Sequence, residues 1–350
     1  MDALIHHVED GLELGLREVD AAAEMLLDGS VCDDKKARFL KGLTLKGETP
    51  AEIAGFVEAF LQRAVDPGVG GLAFNGPTID IVGTGGDKLN LFNVSTTSMF
   101  VIAAGGAVVV KHGNRGITSK SGGADVLEAL GVNIELGPEG FRESLEVAGV
   151  GFLFAPIYHP AFKAVGPVRA MLAKEGVRTI FNLLGPLLNP VRPECQLVGV
   201  CLPELGSAFA EILQRLGRDS AWVVHGTTPE GGSVDEMSLM GPTRICKSGR
   251  YQSIVDEVVE PEDFGLVRCG VEDLRGGDAQ HNATILTDIL NGHETGPKRD
   301  MVLLNAGAGL ACAGLVDTLG QGVSLARDLI DSGQALERLT RMQEMSRSLS

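Results

Sequence analysis

The sequence lacks any uninterrupted apolar run of about 18 residues, the least that spans a bilayer as a helix. Its opening stretch, MDALIHHVEDGLELGL, carries acids where a secretory leader carries bases. A cytoplasmic protein with no membrane partner is expected. Positive charge is also scarce: 30 Lys and Arg stand against 46 Asp and Glu in 350 residues, a net charge of −16. That balance argues against a general nucleic-acid binder, which needs a basic footprint to neutralise phosphates. The six cysteines (Cys32, Cys195, Cys201, Cys246, Cys269, Cys312) form no Cys-x-x-Cys pair and have no histidine at metal-ligand spacing. Reduced core thiols are expected, not a disulfide framework or a zinc site. No repeat of solenoid length and no low-complexity tract is present.

What remains is globular in composition, with 44% hydrophobic and 22% charged residues, and long enough for about two domains. Apolar residues at helical spacing fill residues 1–70. Within them Thr49-Pro50-Ala51-Glu52 pairs a Thr cap with Pro at the first helical position and Glu three residues after the cap. Pro67, Gly68, Gly70 and Gly71 then break any helix, so a helical domain over 1–70 and an α/β domain over 71–350 are expected. The α/β pattern has strands at 78–82, 107–110, 196–201, 220–224 and 251–255. Its helices fall at 123–130, 160–173, 207–216, 279–290 and 303–313.

Four segments carry chemistry. Gly83-Thr84-Gly85-Gly86-Asp87 follows a strand, and Asn93-Val94-Ser95-Thr96 leads into a helix that Ser95 and Thr96 can cap. Exposed backbone amides there suit phosphate oxygens, although a tight turn and an ordinary cap would look the same. It is neither a Walker loop nor a dinucleotide fingerprint. Lys111-His112-Gly113-Asn114-Arg115, followed by Thr118, Ser119, Lys120, Ser121 and Gly123, concentrates cations, hydroxyls and glycines at a second strand end, a cradle for a polyanion. Ser233-Val234-Asp235-Glu236-Met237-Ser238 offers hard oxygen donors for Mg²⁺, or else a capping box from Ser233 to Glu236. Finally, Phe162 and Arg169 stand seven apart, which on one helix places a ring and a guanidinium on the same side, fit for an aromatic carboxylate; a core Phe and a solvated Arg are the plain alternative.

The motifs GTGGD (83–87), NVST (93–96), KHGNR (111–115), SKSGGADVLEALG (119–131) and VRTIFNLLGPLLNP (177–190), with VDEMS (234–238) and LRGGDAQHNA (274–283), occur in one order over nearly the whole chain. In this the chain resembles the anthranilate phosphoribosyltransferases. The resemblance implies a small N-terminal helical domain plus a larger α/β domain with a central sheet flanked by helices, and a homodimer. It implies transfer of phosphoribosyl from phosphoribosyl pyrophosphate to anthranilate with Mg²⁺ as cofactor. The donor site would comprise Gly83, Gly86, Asp87, Asn93, Val94, Ser95, Thr96, Lys111, His112, Gly113, Asn114, Arg115, Ser119 and Gly123. Anthranilate would meet Gly83, Asn114, His159, Phe162 and Arg169; Ser95, Asp235 and Glu236 would hold the metal; and Arg169, Lys111 and Asn114 would serve catalysis. Lys88 and Leu91 stand where the family commonly has Gly and Thr, Gly123 where many members have Ser, and the stretch 169–176 is about two residues longer than usual. A different aromatic amine or base as acceptor, or a non-catalytic nucleic-acid-binding relative, are the competing readings.

Overall fold

Thr49 and Glu52 close the expected reciprocal cap: the Thr49 hydroxyl accepts from the Glu52 amide at 3.2 Å, and the Glu52 carboxylate accepts from the Thr49 amide at 2.9 Å. These distances come from a computed structural model that describes residues 1–116, 120–251 and 253–349. Glu52 also accepts from the Leu14 amide (2.9 Å) and from Lys46 Nζ (2.7 Å), a pair buried to 4% and 1% side-chain exposure. One carboxylate thus ties together the helices Leu16–Leu27, Asp33–Lys46 and Pro50–Leu61, which pack with Asp2–Glu9. The core of this unit, built on Phe39, Phe56 and Phe60, runs unbroken into Val165, Val168, Leu172, Ile180 and Phe181. Lys36, fully buried, donates to the Ala164 carbonyl at 3.2 Å and fixes that later segment to the bundle.

The remainder builds a mixed sheet from β1 (Thr78–Gly83), β2 (Val108–Gly113), β3 (Val150–Phe154), β4 (Cys195–Gly199), β5 (Ser220–Thr227), β6 (Ser233–Val234), β7 (Thr243–Gly249) and β8 (Val255–Val259). The spatial order is β3-β2-β1-β4-β5-β7-β8, with β6 also on β5. β3, β2, β1, β4 and β5 run parallel, whereas β6, β7 and β8 are antiparallel additions. The parallel strands are covered on both faces, which is why they read as continuous apolar runs. One face packs on the helices Val94–Ala104, Pro297–Cys312 and Leu319–Asp331; the other, along β4 and β5, packs on Leu205–Arg215 and the helical unit. Chain order reverses between β1 and β4, so the carboxyl ends of these two strands frame the crevice where such sheets take ligands.

Three expectations need correction. The strand expected at 251–255 begins only at Val255, as β8, and residue 252 lies outside the described residues. β7 ends at Gly249, whose φ is +91° and where a Cβ would meet the Asp219 carbonyl at 2.4 Å. The helix expected over 160–173 is a 3-10 turn, Pro160–Ala164, followed by a separate helix, Gly166–Lys174, because Pro167 has no amide with which to continue the turn before it. Cys32 is exposed rather than part of the core.

Candidate active site

β1 runs out into Gly83-Thr84-Gly85-Gly86-Asp87. Gly85 and Gly86 adopt φ of +70° and +100°, conformations that side chains resist. This turn presents the Gly85 amide to Asp235 Oδ2 at 2.6 Å. Asp235 comes from the turn after β6 and fits because β1 and β4 end in glycine: a Cβ on Gly83 would lie 2.3 Å from Asp235 Oδ2, and one on Gly199 1.6 Å from the Asp235 carbonyl oxygen. Past Asp87 the chain stays left-handed at Lys88 (φ +60°) and Asn90 (φ +52°). It is then stitched to a distant segment: Gly276 donates to the Asn90 carbonyl (2.9 Å) and Phe92 to that of Leu274 (3.2 Å).

Ser95 and Thr96 do not cap the helix Val94–Ala104, contrary to expectation. Asn93 occupies the cap position, and the two hydroxyl residues fall inside the first turn. Asn93 makes no cap bond either, because its side chain is used elsewhere. Its Nδ2 donates to the Ser121 carbonyl (3.2 Å) and its Oδ1 accepts from Asn282 Nδ2 (2.8 Å), which joins the glycine loop, the basic loop and the segment 274–283. No role was expected for Asn282, although it lies within the motif LRGGDAQHNA, which was its signal.

Lys111 leaves β2 and is 4% exposed, yet its acceptors are neutral: the Ile81 carbonyl and Ser95 Oγ at 3.1 Å. Burial pulls its pKa down, opposed by the charges of Asp80 and Glu236. Burial pushes Asp235 up to about 7, reinforced by Asp87, and Glu236 up to about 8, reinforced by Asp235. The capping-box reading of Ser233 and Glu236 fails, since Ser233–Val234 is the strand β6 and no helix follows. The turn is held from below by Asn305, a fully buried residue missed in the sequence. Its Oδ1 accepts from the Met237 amide and its Nδ2 donates to the Met237 carbonyl, both at 2.9 Å. Among the described residues no three His, Cys, Asp or Glu side chains form a closed metal cage. Asp235, Glu236 and the Ser95 hydroxyl form an open set of oxygen donors, the kind Mg²⁺ uses when its other ligands are water and phosphate. Two crowded carboxylates reluctant to ionise fit a divalent cation.

The next residue on β2, His112, faces a different wall. Its ring stands edge-on to that of His159 (5.2 Å), which is followed by Phe162 (5.3 Å from His159) and Phe181 (5.7 Å from Phe162). Phe60 of the helical unit backs Phe162 at 5.1 Å. Arg169 lies over Phe181, its Cζ 5.3 Å from the ring centre. Phe162 and Arg169 therefore converge through Phe181, not along one helix. Burial lowers the pKa of Arg169, and no carboxylate among the described residues pairs with it. Burial, with His159 close by, pushes His112 down to about 3, and its Nε2 is buried without a partner. His159 Nε2 donates to the Leu188 carbonyl at 2.8 Å.

The basic loop is folded on itself. Asp125 Oδ2 accepts from both Gly116 and Gly122 (2.8 Å each), pinning its two limbs. Arg115 is not aimed at the glycine loop; it grips Glu128 through both terminal nitrogens and lies over Phe154. Asn114 is exposed, its Oδ1 accepting from the Arg115 amide at 2.8 Å. A Cβ on Gly123 would stand 3.1 Å from Thr96 Oγ1 and 3.8 Å from Lys111 Cε, so Gly123 lies beside Lys111, whereas one on Gly113 would strike the Phe152 ring at 2.8 Å. Ser119 lies outside the described residues.

Comparison with known proteins gives this geometry its kinship. Residues 2–64 match the model of the glycosyl transferase family helical bundle domain, and residues 75–336 that of the glycosyl transferase family a/b domain. The anthranilate phosphoribosyltransferase of Chloroflexus aggregans is 45% identical over 96% of this chain and 95% of its own. That of Mesorhizobium japonicum is 45% identical over 99% of each. The crystal structure of anthranilate phosphoribosyltransferase from Thermus thermophilus superposes with a TM-score of 0.89 at 42% identity, covering 99% of this chain and 100% of that one. The Saccharomyces cerevisiae enzyme in complex with PRPP and Mg superposes at 0.85 with 26% identity, over 99% and 98%. With its helical bundle, its α/β domain and the order of its loops all shared with these proteins, the chain belongs to the anthranilate phosphoribosyltransferase family.

Proposed function

We propose that the protein transfers phosphoribosyl from 5-phosphoribosyl 1-pyrophosphate to the amine of anthranilate, releasing pyrophosphate, in tryptophan biosynthesis. The observation that carries this reading is the pairing, through adjacent residues of β2, of a glycine-lined oxygen-donor site at Lys111 with an aromatic wall ending in an unpaired, partly desolvated Arg169. Departure of pyrophosphate from ribose C1 builds negative charge on the leaving group, and preorganised donors lower the barrier most where charge develops. Lys111 and the amides of Gly83, Gly86, Asp87, Asn93, Gly113, Asn114 and Gly123 would serve there, with the hydroxyls of Ser95, Thr96 and Ser119, while the Val94 amide is held by the Phe92 carbonyl at 2.8 Å. Arg115 joins them by releasing Glu128. Asp235, Glu236 and Ser95 would hold Mg²⁺, which when bound neutralises the pyrophosphate oxygens.

Arg169 would take the anthranilate carboxylate in a bidentate pair, with the ring against the wall that Phe162 and His159 form and the amine toward Gly83 and Asn114. His112, neutral at any working pH, offers an Nε2 lone pair to an amine N–H and is too weak a base to remove the proton beforehand. We also propose that the enzyme is cytoplasmic and divides into residues 1–70 and 71–350, with residues 165–188 completing the helical domain. A homodimer would cover Leu12, Leu16 and Leu45, large apolar side chains left 52%, 78% and 87% exposed on that domain.

The test is product formation from phosphoribosyl pyrophosphate, Mg²⁺ and anthranilate, beside a panel of other aromatic amines. Arg169→Ala is expected to raise KM for anthranilate about 10- to 100-fold, the worth of a charge-assisted pair, while leaving KM for the donor within twofold. Turnover with another amine and none with anthranilate would replace the acceptor and keep the donor. Silence across the panel, with salt-sensitive retention on DNA, would favour a non-catalytic nucleic-acid binder instead.

A further inference from the structure

β1 and β2 part company early. Their backbone pairing covers only Thr78↔Val108 and Ile79↔Val109, whereas β1 stays paired with β4 to Gly83↔Gly199 and β2 with β3 to Gly113↔Phe154. A parting between two buried strands leaves ladder groups without partners, and such groups are costly unless satisfied. Two side chains fill the gap. Asn189 Nδ2 donates to the Val110 carbonyl (2.6 Å) and to Asp80 Oδ2 (2.9 Å), and Asp80 Oδ1 accepts from the His112 amide (3.3 Å). Both side chains are wholly buried. The residues they grip, Val110 and His112, are the immediate neighbours of Lys111, whose ammonium crosses the same gap to the Ile81 carbonyl and Ser95 Oγ.

We propose that Asp80 and Asn189 are positioning residues for Lys111: they splint the parted strands on either side of it and place a buried negative charge near an ammonium that is bonded only to neutral oxygens. A carboxylate buried in an apolar strand is expensive unless a cation compensates it. Burial does push Asp80 up, to about 6, while Lys111 and the Asn189 hydrogen bond pull the other way. Without the splint the strands would zip together past Ile79 and Lys111 would lose its path to the glycine loop. The inference rests on Lys111 as a ligand of the phosphoribosyl donor.

The experiment is a double-mutant cycle on the full-length enzyme, with Asp80→Asn and Asn189→Ser each made in wild-type and Lys111→Met backgrounds. Folding is checked by circular dichroism and KM is measured for both substrates. Each single splint variant is expected to raise KM for phosphoribosyl pyrophosphate about tenfold, with KM for anthranilate within twofold, and to add less than twofold once Lys111 is gone. Equal multiplication in both backgrounds would overturn the proposal, as would an unchanged donor KM or loss of folding in both Asp80→Asn and Asn189→Ser, which would assign the pair to sheet stability alone. A Lys111→Met enzyme with normal donor KM would instead overturn the reading of Lys111 itself.

Discussion

Asp235 and Glu236 should weaken the metal-free protein at alkaline pH, so that replacing them with their amides stabilises it. Burial is the main cause, with repulsion from Asp87 and from one another second, and it holds the two groups at about 7 and about 8. In the unfolded chain both lose their protons near pH 4. Between these limits the native state holds protons that the unfolded state has released, so stability falls as pH rises from about 4 to about 8. A shift of about three units corresponds to about 4 kcal/mol, and because burial, not the repulsion the two groups share, is the main cause, the pair is worth at least that. For a chain of 350 residues, an unfolding entropy of about 2.1 cal/mol/K per residue converts this into at least about 5 °C of melting temperature. The assay is thermal denaturation in EDTA at about pH 4 and about pH 8.5, wild type against Asp235→Asn/Glu236→Gln. The two should melt together at the lower pH, the variant at least about 5 °C higher at the upper, and saturating Mg²⁺ should close the gap by raising only the wild type. Parallel behaviour at both pH values, or a gap indifferent to Mg²⁺, would refute the reasoning.

Two further outcomes follow from local geometry. Lys88→Gly, at φ +60°, should stabilise the protein by about 0.5–1 kcal/mol in urea denaturation by relieving a left-handed side chain; a loss of stability would mean that the Lys88 side chain makes a contact worth more than the strain. Glu52→Ala strands the Leu14 and Thr49 amides and a buried Lys46, and should cost about 3–5 kcal/mol at pH 7, the usual range for breaking a buried pair. Hydrogen bonds from Leu14, Lys46 and Thr49 outweigh burial and hold Glu52 below its ordinary value. Its contribution is therefore present above about pH 4.5 and should fade in acid as the folded-state carboxyl takes its proton; a deficit unchanged at pH 3 would refute this.

What could be read in the sequence was local chemistry. The Thr49 cap and the strand-glycine-helix order around Gly83 each depend on neighbours a few residues apart, and each stands where expected, whereas Lys111, His112 and Gly113, expected to follow a strand, are the last residues of β2. Asp80, Asn189 and Asn305 were illegible for the opposite reason. Each bonds to groups across long separations, as Asp80 does to Asn189 and Asn305 to Met237, and a polar residue within an apolar run does not say which distant backbone it serves. The same limit explains the false cap at Ser233: the local pattern fits a helix start, but pairing of Val234 with Gly226 makes it a strand. The broken helix at Gly166-Pro167 was legible, since proline marks the break, and the seven-residue spacing of Phe162 and Arg169 had to be read against it.

The clamp of Asn305 on the Asp235–Glu236 turn also sets a timetable for biosynthesis. The glycine loop after β1 leaves the ribosome early, but the acids that meet it follow only after β6, and the helix that fixes them, Pro297–Cys312, comes later still. A nascent chain truncated anywhere before that helix can build much of its sheet and still have no fixed carboxylates at the loop. Chains of this enzyme therefore gain their charged centre well after their phosphate loops, and a stalled or clipped product would carry those loops without the acids that complete them.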